Sequence, residues 1–160
     1  MKMGLMGASR QARIKQYAAK TCCILIAQAQ NPMHILDLDH LVLTVKNLDA
    51  TIRFYTTVLG MEAVTFGDNR HALVFGDKKI NLHPLKSDIQ PRAHAPKAGS
   101  ADLCFRLATP IEEVIAELQQ HGITIESGPV RRTGAYSALI SVYLRDPDQN
   151  LIELSNVITM

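Results

Sequence analysis

The 160-residue sequence predicts an α+β domain in which two βαβββ modules in tandem form a curved mixed sheet. Three observations carry this. Strand-like and helix-like patterns follow one another as strand, helix, strand, strand, strand from Asp37, and do so again from Ala101. His40 lies 20 residues before Gly60, and Asp102 lies 20 before Gly122, each glycine standing where a helix should end. Towards the close of each module, Ile80-Asn81-Leu82 parallels Ile152-Glu153-Leu154.

The elements follow in order. Leu38 to Val45 (LDHLVLTV) has the branched residues of a strand. Asp49 can cap a helix in which Ile52, Tyr55 and Leu59 keep near-helical spacing until Gly60. Short strands are expected from Met61, His71 and Lys79, with turns at Gly67-Asp68-Asn69 and Gly76-Asp77. Residues 84–100 carry Pro84, Pro91, Pro96 and Gly99 without periodicity and read as a linker between modules 36–83 and 101–157. Ala101 to Leu107 reads as a strand, and Thr109-Pro110-Ile111-Glu112 as a capping box that starts a helix. Ile111, Val114, Ile115 and Leu118 make its apolar stripe. Ile123 to Glu126, Ser137 to Leu144 and Asn150 to Asn156 supply the last three strands, with Arg131 to Ala135 in a loop.

Composition limits the partners. Residues 1–32 hold five basic side chains and no acid, whereas residues 33–160 hold 12 basic and 15 acidic ones, so the body is mildly acidic. That balance, with no basic stripe, argues against nucleic acid. The longest apolar run, Cys22 to Ala27, is too short to span a bilayer. Cys22, Cys23 and Cys104 cannot form an even disulfide framework, and a reducing cytoplasm is the expected compartment. Residues 1–32 have some features of a short signal peptide, but the run barely meets the length rule. They are read instead as a disordered or accidental extension, with residues 33–160 as the domain.

Alternation along the strands gathers one set of side chains on one face: His40 and Thr44, then Asn81 and His83, then Asp102, Cys104 and Arg106, then Glu153 and Ser155. The repeat places His40, Asn81, Asp102 and Glu153 at matched points about a pseudo-twofold axis. If the modules pair as a cup, one imidazole and two carboxylates converge on it, with a second imidazole at His83. That is a plausible site for a divalent metal ion.

The segments LDHLVLTV, FYTTVLGM and LRDPDQNLIELS closely resemble the vicinal-oxygen-chelate superfamily, which contains glyoxalases, bleomycin-resistance proteins and extradiol dioxygenases. Within it, INLHPL, GSADLCF and GPVRRTGA look most like glyoxalase domain-containing protein 5 and the bacterial virulence-associated, lactoylglutathione-lyase-like proteins. The resemblance implies one divalent ion per site (Zn, Ni, Mn or Fe) held by His40 and Glu153, which match residue by residue. Asp102 and Asn81 depart from the histidine and glutamate of glyoxalase I. Asp102 is therefore either a ligand or a carboxylate that orients His40. His83 is a metal ligand, an acid or base at the rim, or a structural residue. Thr44, Asn81, Cys104 and Arg132 are candidate substrate contacts; Cys104 reads more readily as a small buried hydrophobe, and Arg132 equally as part of a solvated loop.

What the resemblance implies functionally is a metal-dependent lyase or isomerase acting on a small oxygenated, thiol-conjugated compound. The ion would act as a Lewis acid, and Glu153 or His83 would move the proton. Its rivals are a ring-cleaving dioxygenase, a thiol transferase, and a ligand-binding protein of bleomycin-resistance type without metal or chemistry. A homodimer is the common assembly of such folds.

Overall fold

The computed structural model describes residues 33–158, and the extension expected over residues 1–32 lies outside them. The first module is β1 (His40–Val45), α1 (Leu48–Thr57), β2 (Glu62–Phe66), β3 (Arg70–Phe75) and β4 (Lys78–Pro84). The second is β5 (Asp102–Arg106), α2 (Ile111–Gln120), β6 (Ser127–Thr133), β7 (Ala138–Arg145) and β8 (Leu151–Val157).

Three local expectations are corrected. Asn47, not Asp49, caps α1, its side chain accepting from the Ala50 amide, while Asp49 sits in the first turn. The N-cap of α2 is Pro110, which has no side-chain cap, so Thr109 closes no capping box. Residues 123–126 form no strand; β6 begins at Ser127 and includes Arg131 and Arg132, which sequence reading placed in a loop. Pro129 obscured that strand. β6 is an edge strand, and its register shifts between Ser127 and Val130, so it tolerates a residue that cannot donate to the ladder.

The curved mixed sheet consists of two four-stranded halves, ordered β1-β4-β3-β2 and β5-β8-β7-β6. In each, the first and last strands of the module pair in parallel and the rest are antiparallel. The registers align the repeat: Val42 stands opposite Asn81, and Cys104 opposite Glu153. Along β1 and β4 the residues Leu43, Val45, Ile80 and Leu82 are buried, while His40 and Val42 alternate with them and are exposed. Val142, Leu144, Ile152 and Leu154 do the same in the second half. These faces and their helices merge into one hydrophobic core across both modules, with Phe75 edge-on to Phe105 at 5.3 Å. Each fully buried Leu, Ile or Val contributes on the order of 2 kcal/mol, so the apolar faces decide how the modules associate.

This overturns the expectation of a single cup within the chain. The halves join through their apolar faces, and the two polar faces point away from the shared core. Each lines a cavity of its own.

The turn between β7 and β8 fastens the modules together. Asp146, 2% exposed, accepts at Oδ1 from the backbone amides of Asp148 (2.9 Å) and Asn150 (2.8 Å). Its Oδ2 accepts from Asn150 Nδ2 (2.7 Å) and from the Tyr55 hydroxyl of α1 (3.0 Å). The Asp148 carboxylate accepts from the Lys46 amide (3.1 Å), and Asn150 Oδ1 from the Ala101 amide (2.9 Å). Gly99 passes so close, at φ +75°, that a Cβ there would collide with the Asp148 carbonyl oxygen.

Burial, then the neighbouring Asp146 carboxylate, raise the Tyr55 hydroxyl well above its ordinary value. Because the folded value is raised, this contribution to stability is complete below the unfolded phenol value of about 10 and is lost as pH rises past it. Tyr55→Phe is therefore expected to cost about 1–2 kcal/mol at pH 8 in urea unfolding. That cost should shrink above pH 10; one that grows there would contradict the assignment.

Candidate functional site

The polar face of the second module is built around Glu153. β8 turns Ile152 and Leu154 into the core, which leaves Glu153 on the opposite face, as expected. Its Oε1 accepts from the Ser155 hydroxyl at 3.2 Å. Ser155 Oγ lies 2.8 Å from Ser141 Oγ and 3.4 Å from the Cys104 sulfur. Ser155 has one hydroxyl proton and gives it to Glu153, so Ser141 donates to Ser155. Tyr143 is registered opposite Glu153, and its hydroxyl accepts from Arg132 Nε at 2.9 Å while the guanidinium carbon lies 5.2 Å from the ring centre.

Glu153, Cys104 and Arg132, with Arg106 and residues 133–137, line a cavity of about 550 Å³, large enough for a small organic ligand. Burial raises Tyr143, with Arg132 opposing and the adjacent Glu153 adding, so its hydroxyl keeps its proton at neutral pH. Partial desolvation of its sulfur also raises the Cys104 thiol, against the Ser155 hydrogen bond, which leaves it a poor nucleophile. Cys104 is exposed rather than buried because its side of the edge strand β5 faces away from the core. Asp102 lies on the same outward face, at the exposed start of β5.

The first module presents its own polar face. His40 is half-exposed, and its Nδ1 lies 2.7 Å from the Asp39 carboxylate, which leaves Nε2 directed elsewhere. The carboxylate that orients His40 is thus its chain neighbour and not Asp102. Asn81 Oδ1 is buried without a hydrogen-bond partner. His83 and Thr44 stand opposite one another on β4 and β1, and line a separate small cavity. His83 is nearly buried rather than at a rim, and burial, then Arg70 and Arg92, lower its value, which favours the neutral imidazole.

Alternation placed each of these side chains on the correct face, and the structure separates the faces. Asp102 and Glu153 share one; His40, Asn81 and His83 share the other. Among the described residues, no group of three or more His, Cys, Asp or Glu side chains stands together to hold a metal ion. The donor types still suit a divalent cation: an imidazole oriented by a carboxylate, two carboxylates, and an amide oxygen lacking a donor. They fit one ion only if the two faces come from different copies. Sequence reading missed Asp39, Ser141 and Tyr143. Carrying alternation back across the β7–β8 turn from Glu153 would have found the last two.

The chain belongs to the Glyoxalase/Bleomycin resistance protein/Dioxygenase superfamily, whose model matches residues 37–154. It is 55% identical over 121 residues to "Virulence protein STM3117" of Salmonella typhimurium, covering 76% of this chain and 84% of that protein. Their structures align with a TM-score of 0.78, over 79% of this chain and 100% of the solved one. A second relative is "Glyoxalase domain-containing protein RDO1" of Mycosarcoma maydis, 50% identical over 127 residues, which are 79% of this chain and 72% of that one. An integron cassette protein from the mobile metagenome of V. cholerae is 52% identical, with a TM-score of 0.76 over 78% of this chain and 97% of that chain.

Proposed function

We propose that this protein is a glyoxalase-type lyase or isomerase for a small oxygenated compound, working as a homodimer whose site is shared between copies. His40 and Asn81 of one copy would meet Asp102 and Glu153 of the other around one divalent ion. The observation that carries this reading is the division of the matched quartet between two faces of one chain, so that among the described residues no single face gathers the donors for an ion. Symmetric pairing brings unlike faces together twice over, giving two equal sites.

A divalent ion held by these residues would supply Lewis-acid chemistry towards a substrate oxygen. The chain supplies the rest. Ser155 fixes the Glu153 carboxylate through Oε1, which leaves Oε2 to carry a proton between substrate atoms. Tyr143 accepts from Arg132 and so holds that guanidinium at the cavity wall, where it can meet a substrate oxygen. Arg106 and the turn at residues 133–137 wall the cavity on the side that would receive a thiol conjugate.

Elemental mass spectrometry of the purified full-length chain tests the reading. About one divalent ion per chain is expected, and a His40→Ala, Glu153→Ala double variant should lose it. With metal confirmed, glutathione hemithioacetals are the first substrates to screen. A wild-type protein that binds no ion after reconstitution would remove the proposal in favour of a metal-free ligand-binding protein.

A further inference from the structure

The segment joining the modules is more than a connection. After β4 it folds back over the end of the first module's polar face, and Leu85, Ser87, Arg92 and Pro96 roof the space above Thr44 and His83. The enclosed cavity is about 60 Å³. Since about 10–15 Å³ of such space holds one water, this volume admits a few waters or one small polar group.

Its polar groups are left unsatisfied by the protein. The Ser87 hydroxyl oxygen is buried with no hydrogen-bond partner. His83 is 9% exposed, and neither ring nitrogen makes a hydrogen bond among the described residues. Buried polar groups normally find partners, because leaving one unmade costs about 1–3 kcal/mol. One such oxygen, beside an imidazole that no described protein group engages, points to something that the fold does not itself supply. Arg92 donates through Nη1 to the Ser87 carbonyl oxygen at 2.7 Å, which positions its guanidinium at the cavity with further N–H groups to spare.

We infer that this cavity binds the carboxylate of a small organic acid, with Arg92 supplying the charge and Thr44, Ser87 and His83 the remaining hydrogen bonds. The wall contains a guanidinium, an imidazole and two hydroxyls but no acid, so a bound anion meets donors and no repulsion. The volume excludes a nucleotide or an extended chain and suits a carboxylate head group. Arg70 adds a second positive charge close enough to act on His83. The cavity lies further along the same face than the proposed metal ligands: Thr44 is four residues beyond His40, about 13 Å along the strand, and His83 two residues beyond Asn81, about 7 Å.

The test is a titration of the full-length, chelator-treated protein with acetate, followed by NMR of the histidine ring signals, with acetamide as the uncharged control. Acetate should shift the His83 resonances with millimolar affinity, as expected for a single buried carboxylate. Acetamide should not. Arg92→Gln should weaken binding about tenfold, the loss of one charge-assisted contact. Ser87→Ala should weaken it less, and His40→Ala should leave it unchanged. Equal response to acetamide, full binding in Arg92→Gln, or loss of binding in His40→Ala would each overturn the assignment. The last outcome would move the carboxylate to the proposed metal face.

Discussion

Co-refolding equal amounts of His40→Ala and Glu153→Ala protein is expected to restore about one quarter of the metal sites that neither variant forms alone. The figure follows from the placement of the residues. His40 and Glu153 stand on faces that point away from a common core, so a shared site takes one from each copy. Random pairing makes about half the dimers mixed. In a mixed dimer one site carries both defects, and the other combines an intact His40 with an intact Glu153. Metal content and activity towards any substrate that emerges should recover together. If each site were complete within one chain, mixing would recover nothing, and that result would exclude the shared arrangement while leaving metal binding itself intact. Each single variant should lose at least about a hundredfold in metal affinity, since even residues that merely support a ligand account for 10–100-fold.

Asp146→Ala should have the largest effect on stability. Its carboxylate is buried and answers four donors: the amides of Asp148 and Asn150, the Asn150 side chain and the Tyr55 hydroxyl. Alanine strands all four, and each unmade buried hydrogen bond costs about 1–3 kcal/mol. Allowing for relaxation of the turn, the loss should be on the order of 4 kcal/mol, a reduction in Tm of about 15 °C. Asp146→Asn keeps one acceptor but turns an amide N–H towards donors, so its loss should fall between wild type and alanine. Urea unfolding at pH 7 measures all three. A loss below about 1 kcal/mol in the alanine variant would mean that the turn reforms with other partners, and that the modules hold together by apolar contact alone.

The modular plan was legible because two independent periodicities agreed. Glycines fell at equal distances after His40 and Asp102, and strand alternation put apolar and polar residues on opposite sides in both halves. β6 was not legible, because Gly128-Pro129 and the run of arginines carry turn and solvent signals while an edge strand accepts both. The candidate site was half legible. Alternation is a local property, so it assigned His40 and Glu153 to their faces. Which faces meet is a global outcome, set by the apolar sides of both sheets competing for burial. The polar linker likewise gave no sign that Ser87 and Arg92 would return to the sheet, since no periodicity encodes that contact.

The turn at Asp146 to Asn150 also bears on how the chain is made. Its partners, Lys46 and Tyr55, leave the ribosome 102 and 91 residues before the groups they meet. Until then Tyr55 lacks its acceptor, and the first module's apolar face lacks the second module that shares its core. At about 5–20 residues per second, that state lasts for several seconds in every round of synthesis. The nascent half is therefore the form of this protein most exposed to aggregation and to chaperone capture, and a stop codon in the linker would make that condition permanent. The two modules repeat one another in design, but they depend on each other to persist.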